Sequence, residues 1–174
     1  MSDYHRTKTY LAGDWTGDKD AIDKIHEWNE SDHYALNFVD VHDLIQASDE
    51  SLPCSIKKSL GERMDMCKTF VLVVGEHTKY LTKGECRYCD DYRESEYYGR
   101  YCASGGSISN KSYVEFECDK AVRDGLRIVV LYNSKWVDRY KCPDAVKWEG
   151  KHFAMKDDYG DWDYQAVKKA IMGE

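Results

Sequence analysis

Apolar residues along the chain fall into short continuous runs and into stretches of helical spacing, and the two kinds alternate. Residues 7–13 form a first strand. From Lys19 to Glu30, Ile22, Ile25 and Trp28, with His26 beside them, recur on one helical face, and Asp18 stands where an N-cap would. Residues 36–40 read as a second short strand, followed by a polar loop over 41–52. Pro53 suits the first turn of a helix that turns Ile56, Leu60 and Met64 inward. Residues 69–75 are apolar on both faces, as a central parallel strand should be.

A further helix is expected over 112–124. Ser112 precedes Glu115 by three positions, a capping-box spacing, and Val114, Cys118, Ala121 and Val122 make its apolar stripe. Gly125 ends it, and the β-branched run 127–132 supplies another strand. Residues 136–149 are irregular. Residues 151–155 suit an edge strand, and Asp161 is the expected cap of a last helix over 162–172, with Tyr164, Val167 and Ile171 inward.

This order predicts an α/β domain over 1–174, a parallel sheet flanked by helices. Ligands in such folds bind beyond the carboxyl ends of the strands. That edge would gather Gly13, Asp14 and Trp15, residues 40–42 and 75–78, the loop after Tyr132 and the start of the 112–124 helix. Between residues 78 and 110 the periodicity breaks. The segment is rich in Tyr, Cys, Arg and Gly, and it reads as an insertion longer than an ordinary loop. Residues 134–174 form a C-terminal extension.

Composition narrows the classes. A 42% hydrophobic and 33% charged chain with two prolines and five tryptophans is a globular protein rather than a disordered one. A formal charge of -7 argues against nucleic acid or an anionic membrane as partner. No apolar run has the length of a membrane span, and residues 1–10 lack a signal-peptide core, so a cytoplasmic location is expected. No GxGxxG follows the first strand, and neither a P-loop nor a GxSxG elbow occurs. A phospho-receiver would want a carboxylate closing the third strand and a lysine closing the last. Gly13-Asp14-Trp15-Thr16-Gly17 is a poor flavin-phosphate loop.

Two carboxylates flank the stripe of the 112–124 helix. Glu115 has a structural explanation in the capping box. Glu117 has none, and pattern alone allows it to be a surface carboxylate favoured by the helix dipole. The order of elements, with Ser112-Tyr113-Val114-Glu115-Phe116-Glu117 after the 69–78 strand and turn, resembles the TIR-like proteins of bacterial Thoeris anti-phage systems. The resemblance covers about residues 7–133. In that family a glutamate four residues after an aromatic residue is catalytic, and the spacing from Tyr113 puts Glu117 there. The family's aromatic is usually Trp.

The resemblance implies a flavodoxin-like fold and cleavage of NAD at its nicotinamide–ribose bond. It also implies an ADP-ribose-derived signal, cyclic or conjugated, sensed by a separate effector protein, and self-association of the chain. Asp14, Trp15, His42, Thr78 and Tyr113 are the expected substrate contacts, with His42 and Asp43 in a loop that gates the site. A non-catalytic TIR-like module that self-associates or binds a nucleotide is the rival reading. A nucleoside-processing enzyme on the same fold is a third.

Seven cysteines without a secretion signal point to reduced thiols or a metal site. Cys86 and Cys89, two residues apart, stand with Cys102 in the irregular segment. A structural zinc on these three, completed by His77 or Cys118, is one reading, and reduced structural thiols are the other. Cys54, Cys67 and Cys118 fall on apolar helical faces and read as core residues. Cys142 carries no pattern.

Overall fold

The structure, a computed structural model, describes residues 8–31, 36 and 52–173. Side chains of successive strand residues point to opposite faces, so a strand apolar throughout must be covered on both sides. Strand β2 (Cys67–Val74) is that strand. It pairs in parallel with β1 (Lys8–Ala12) and with β5 (Arg127–Tyr132), and β6 (Lys151–Ala154) closes the edge beyond β5 in the same direction. The order among the described residues is β1-β2-β5-β6. The expected strand over 36–40 lies outside the described residues except for Leu36, which is buried.

Alternate strand residues build two cores. Tyr10, Phe70, Leu72, Val130 and Tyr132 meet helices α2 (Pro53–Met64) and α3 (Tyr113–Arg123) on one face. Leu11, Val71, Val73, Val129 and Leu131 meet α1 (Lys19–Glu30) and α4 (Tyr164–Met172) on the other. The α/β arrangement expected from the pattern is present. Among the described residues no helix is long and apolar enough to cross a membrane.

Helix α3 shows why its limits were legible. Ser112 Oγ accepts from Glu115 N at 3.2 Å, and the Glu115 carboxylate accepts from Ser112 N at 2.8 Å. At the other end Leu126 N reaches Ala121 O and Gly125 N reaches Val122 O, a Schellman closure with Gly125 at φ 67°. Val114, Cys118 and Ala121 are buried as expected, but Val122 is 37% exposed, since it lies on the rim of the stripe.

Three further expectations are corrected. Asp18 occupies the N-cap position of α1 but makes no side-chain cap bond, because its carboxylate is used elsewhere. The last helix starts at Tyr164 and is capped by Asp163, whose Oδ1 accepts from Ala166 N. Asp161 instead donates its backbone N–H to Asp157 Oδ1 in the preceding turn. The irregular segment also contains an antiparallel hairpin, β3 (Tyr92–Ser95) and β4 (Gly99–Cys102).

Candidate functional site

The carboxyl ends of β1, β2 and β5 are tied by a small polar knot. Asn133, the first residue after β5, donates its backbone N–H to Val74 O at 2.8 Å and its side-chain amide to Asp18 Oδ1 at 3.1 Å and Asp20 Oδ1 at 3.0 Å. Thr78 Oγ1 accepts from Gly75 N at 2.8 Å and donates to Asp18 Oδ2 at 3.5 Å. Asp18 and Thr78 are both buried. Burial pushes the Asp18 carboxyl above its ordinary value; the Asn133 hydrogen bond opposes the rise, and the charges of Asp14 and Asp20 add to it.

The expected residues of this edge fare differently. Asp14 Oδ1 accepts from Thr16 N and holds its own turn. Trp15 packs against the core on the α1/α4 face, its ring 5.8 Å from that of His26. Thr78 is locked in the knot. His42 and Asp43 lie outside the described residues. Asp18 and Asn133 were not singled out from sequence as site residues. Asn133 was findable, since it directly follows a parallel strand, whereas Asp18 was assigned to capping.

Glu117 lies on the opposite face of the sheet from Trp15, so these two expected site residues are not brought together. It is 2% exposed and among the largest fully buried side chains. The surface reading of this carboxylate is therefore excluded. On the helix, Val114 and Ala121, three before and four after, face the sheet. Tyr113 and Lys120, four before and three after, lie on the α2 side. Lys120 confirms that direction: its Nζ meets Asp65 Oδ1 beyond the end of α2 at 2.7 Å, and its methylenes approach Gly61. Glu117 is thus set between α2 and the sheet, about one turn below the strand edge. Glu115 is occupied by the cap and Asp119 pairs with Lys111 Nζ, which leaves Glu117 as the buried carboxylate of α3 without a helix-forming task.

Around it the thiols are muted. Burial pushes the Cys118 thiol well above its ordinary value, with the Glu117 charge adding to the effect, and burial takes Cys142 up to about 11. Tyr113 begins α3 with its ring packed against Gly84, where an added methyl would fall 2.5–2.7 Å from ring atoms. Its hydroxyl is pushed up to about 12 by burial and by Cys89, Cys86 and Cys54 nearby.

Residues 4–83 match the family model described as Thoeris protein ThsB, TIR-like domain. The match covers β1 to the turn after β2, a little under half of the chain, and includes positions 14, 15, 42 and 78. Helix α3, with Tyr113 and Glu117, lies beyond it. No curated protein matches the chain. The Thoeris resemblance read from sequence is supported by this match, which associates the chain with a TIR-like family of anti-phage defence. Together with the parallel sheet between two helical layers, four-stranded among the described residues, this match is consistent with the flavodoxin-like α/β fold of a TIR-like domain.

Proposed function

We propose that the chain is a NAD-cleaving TIR-like enzyme whose product is an ADP-ribose-derived signal for a separate effector in anti-phage defence. The observation that carries this reading is the burial of Glu117 at the position where the family motif has its glutamate. Burying a carboxylate costs several kcal/mol unless its surroundings compensate, and α3 needs no such group to fold.

The chemistry asks little of a protein. The bond from ribose C1′ to the nicotinamide nitrogen breaks, its electron pair goes to the ring, and a cationic nicotinamide leaves neutral. No general acid is required. Positive charge develops on the ribose, and a carboxylate in a water-poor cleft stabilises that charge more than it would in water. A hydroxyl then forms the new bond at C1′, from water or from the ADP-ribose itself, and gives up its proton to Glu117 or to solvent.

A 2% exposed Glu117 cannot touch a dinucleotide as it stands, so the resting chain is inactive and catalysis requires a rearrangement, by self-association or by a trigger. The rival reading is a TIR-like module without catalysis. Wild type and Glu117→Gln, incubated with NAD at high protein concentration and with phage-infected lysate, separate the two. Nicotinamide release by the wild type that the substitution abolishes, with both proteins equally folded by circular dichroism, is the expected result. Intact NAD under every condition would leave the non-catalytic reading.

A further inference from the structure

Four of the seven cysteines line one small crevice. Cys54 comes from the first turn of α2, Cys86 and Cys89 from the 3-10 turn Cys86–Tyr88 and its exit, and Cys102 from the end of β4. None of the four is in a disulfide. Gly106 brings two of them to one point: a methyl on its Cα would lie 2.9 Å from Cys54 Sγ and 3.5 Å from Cys102 Sγ. Cys118 belongs to the apolar core under the sheet, and His77 follows β2; neither lines the crevice. Cys54, which reads from sequence as a core residue, takes the place expected for one of them.

We propose that Cys54, Cys86, Cys89 and Cys102 bind one zinc ion as a four-thiolate site that fastens the β3–β4 hairpin to the start of α2.

The local chemistry suits thiolates. Cys86 Sγ accepts the backbone N–H of Ser109 at 3.2 Å, a bond that strengthens when the sulfur is charged. Cys89 N closes on Cys86 O at 2.9 Å, so the two sulfurs flank one tight turn in the usual spacing of a metal knuckle. Cys54 stands in the first turn of α2. A zinc with four thiolates carries two negative charges, and a buried cation is at hand. Lys57 is 6% exposed and donates to Lys111 O at 2.6 Å.

The hairpin itself calls for a fastening. Most of its residues are exposed, and a two-stranded hairpin without a core is marginal on its own. A metal that binds the folded arrangement supplies that order. As they stand, the sulfurs are not clasped: among the described residues no three His, Cys, Asp or Glu side chains are clustered tightly enough to hold an ion. One χ1 step moves a cysteine sulfur by roughly 3 Å, an adjustment that coordination can drive.

The proposal does not depend on NAD cleavage, and its test reads metal alone. The full chain, purified without chelator, is analysed for zinc by mass spectrometry, and the metal-free protein is titrated with Co(II). One zinc per chain and the strong visible bands of tetrahedral thiolate cobalt are expected. Cys54→Ser should bind at least about tenfold more weakly, while Cys142→Ser, outside the crevice, should bind like the wild type. Circular dichroism and thiol counting of the wild type, before and after a chelator, cover the case in which Cys54→Ser fails to fold: four thiols should become reactive only after zinc is removed. A wild type that takes up neither zinc nor cobalt overturns the proposal. So does an intact mass showing disulfides among the four cysteines. Unchanged affinity in Cys54→Ser overturns the assignment of the fourth ligand.

Discussion

Gly75 is the position where one methyl group tests the strand-edge knot. A Cβ built there falls within the van der Waals radii of the Asp18 Cγ, Oδ1 and Oδ2 atoms, so Gly75→Ala must drive the carboxylate out. Asp18 then loses the Asn133 amide and the Thr78 hydroxyl, and the buried hydroxyl is left with one partner fewer. A hydrogen bond to a charged group is worth about 1.5–3 kcal/mol, and the longer Thr78 contact less. Two effects work against the loss. Alanine restricts the unfolded chain by about 0.4–1 kcal/mol, and releasing a carboxylate whose burial is unfavourable returns part of its cost. A net destabilisation of about 1–2 kcal/mol follows, or a Tm lower by about 2–8 °C for a domain of this size. Urea unfolding measures it. In an Asp18→Ala background the colliding atoms are gone, and Gly75→Ala should cost nothing or stabilise slightly, giving a coupling of about 1–3 kcal/mol. Equal cost in both backgrounds would refute the steric account, and a neutral Gly75→Ala would refute the knot.

Ser112→Ala removes the acceptor for Glu115 N and should cost about 1 kcal/mol, read as a lower urea midpoint at unchanged slope. His152 gives a pH dependence of definite sign. Burial first, and the Arg139 charge second, hold its folded pKa below 6.5, so the unfolded chain takes up the proton before the folded one. Stability should be full above pH ~6.5 and fall as the pH drops below it, levelling off once the folded pKa is passed. His152→Phe should flatten that slope, in thermal melts between about pH 7.5 and 5. Asp18, whose pKa is raised, acts in the opposite sense: its favourable contribution is full below the ordinary carboxylate value and is lost as the pH rises through its raised folded value.

Elements whose signal is local were readable from sequence. Helix α1 has the limits predicted for it, and α3 carries both ends of its definition within its own residues, the capping box and Gly125. The hairpin was not readable, because strands exposed on both faces show no alternation to detect. The cap of α4 was misplaced by two residues because Asp161 and Asp163 are equally suitable chemically, and only the turn geometry decides between them. Glu117 sat on the edge of the apolar stripe in sequence; its burial depends on how α2 packs, a fact held in no local pattern. Cys54 was missed for the same reason. Its partners lie more than thirty residues away along the chain, and a tertiary crevice brings them together.

The position of Glu117 limits how this fold can work. Helices α2 and α3 are tied near both ends: Lys57 Nζ reaches Lys111 O just before α3, and Lys120 Nζ reaches Asp65 Oδ1 just beyond α2. Glu117 lies between these ties along the helix. The start of α3 is pinned a third time, since Tyr113 packs its ring on Gly84 and bonds its N–H to Lys83 O at 2.9 Å, at the border of the cysteine crevice. A path to Glu117 through the α2/α3 cleft must therefore loosen at least one of these contacts. Burial lowers the Lys57 pKa, so freeing that cation to water returns part of a cost, whereas Lys120, although buried, is held above its ordinary value by Asp124 and Asp65. The Lys57–Lys111 end of the cleft is therefore where opening costs less, and the Lys120–Asp65 end is the firmer tie. The end beside the thiols is where a bound metal would hold the helix in place. A chain built this way keeps its carboxylate closed at rest, and its opening is set by the weaker of two anchors.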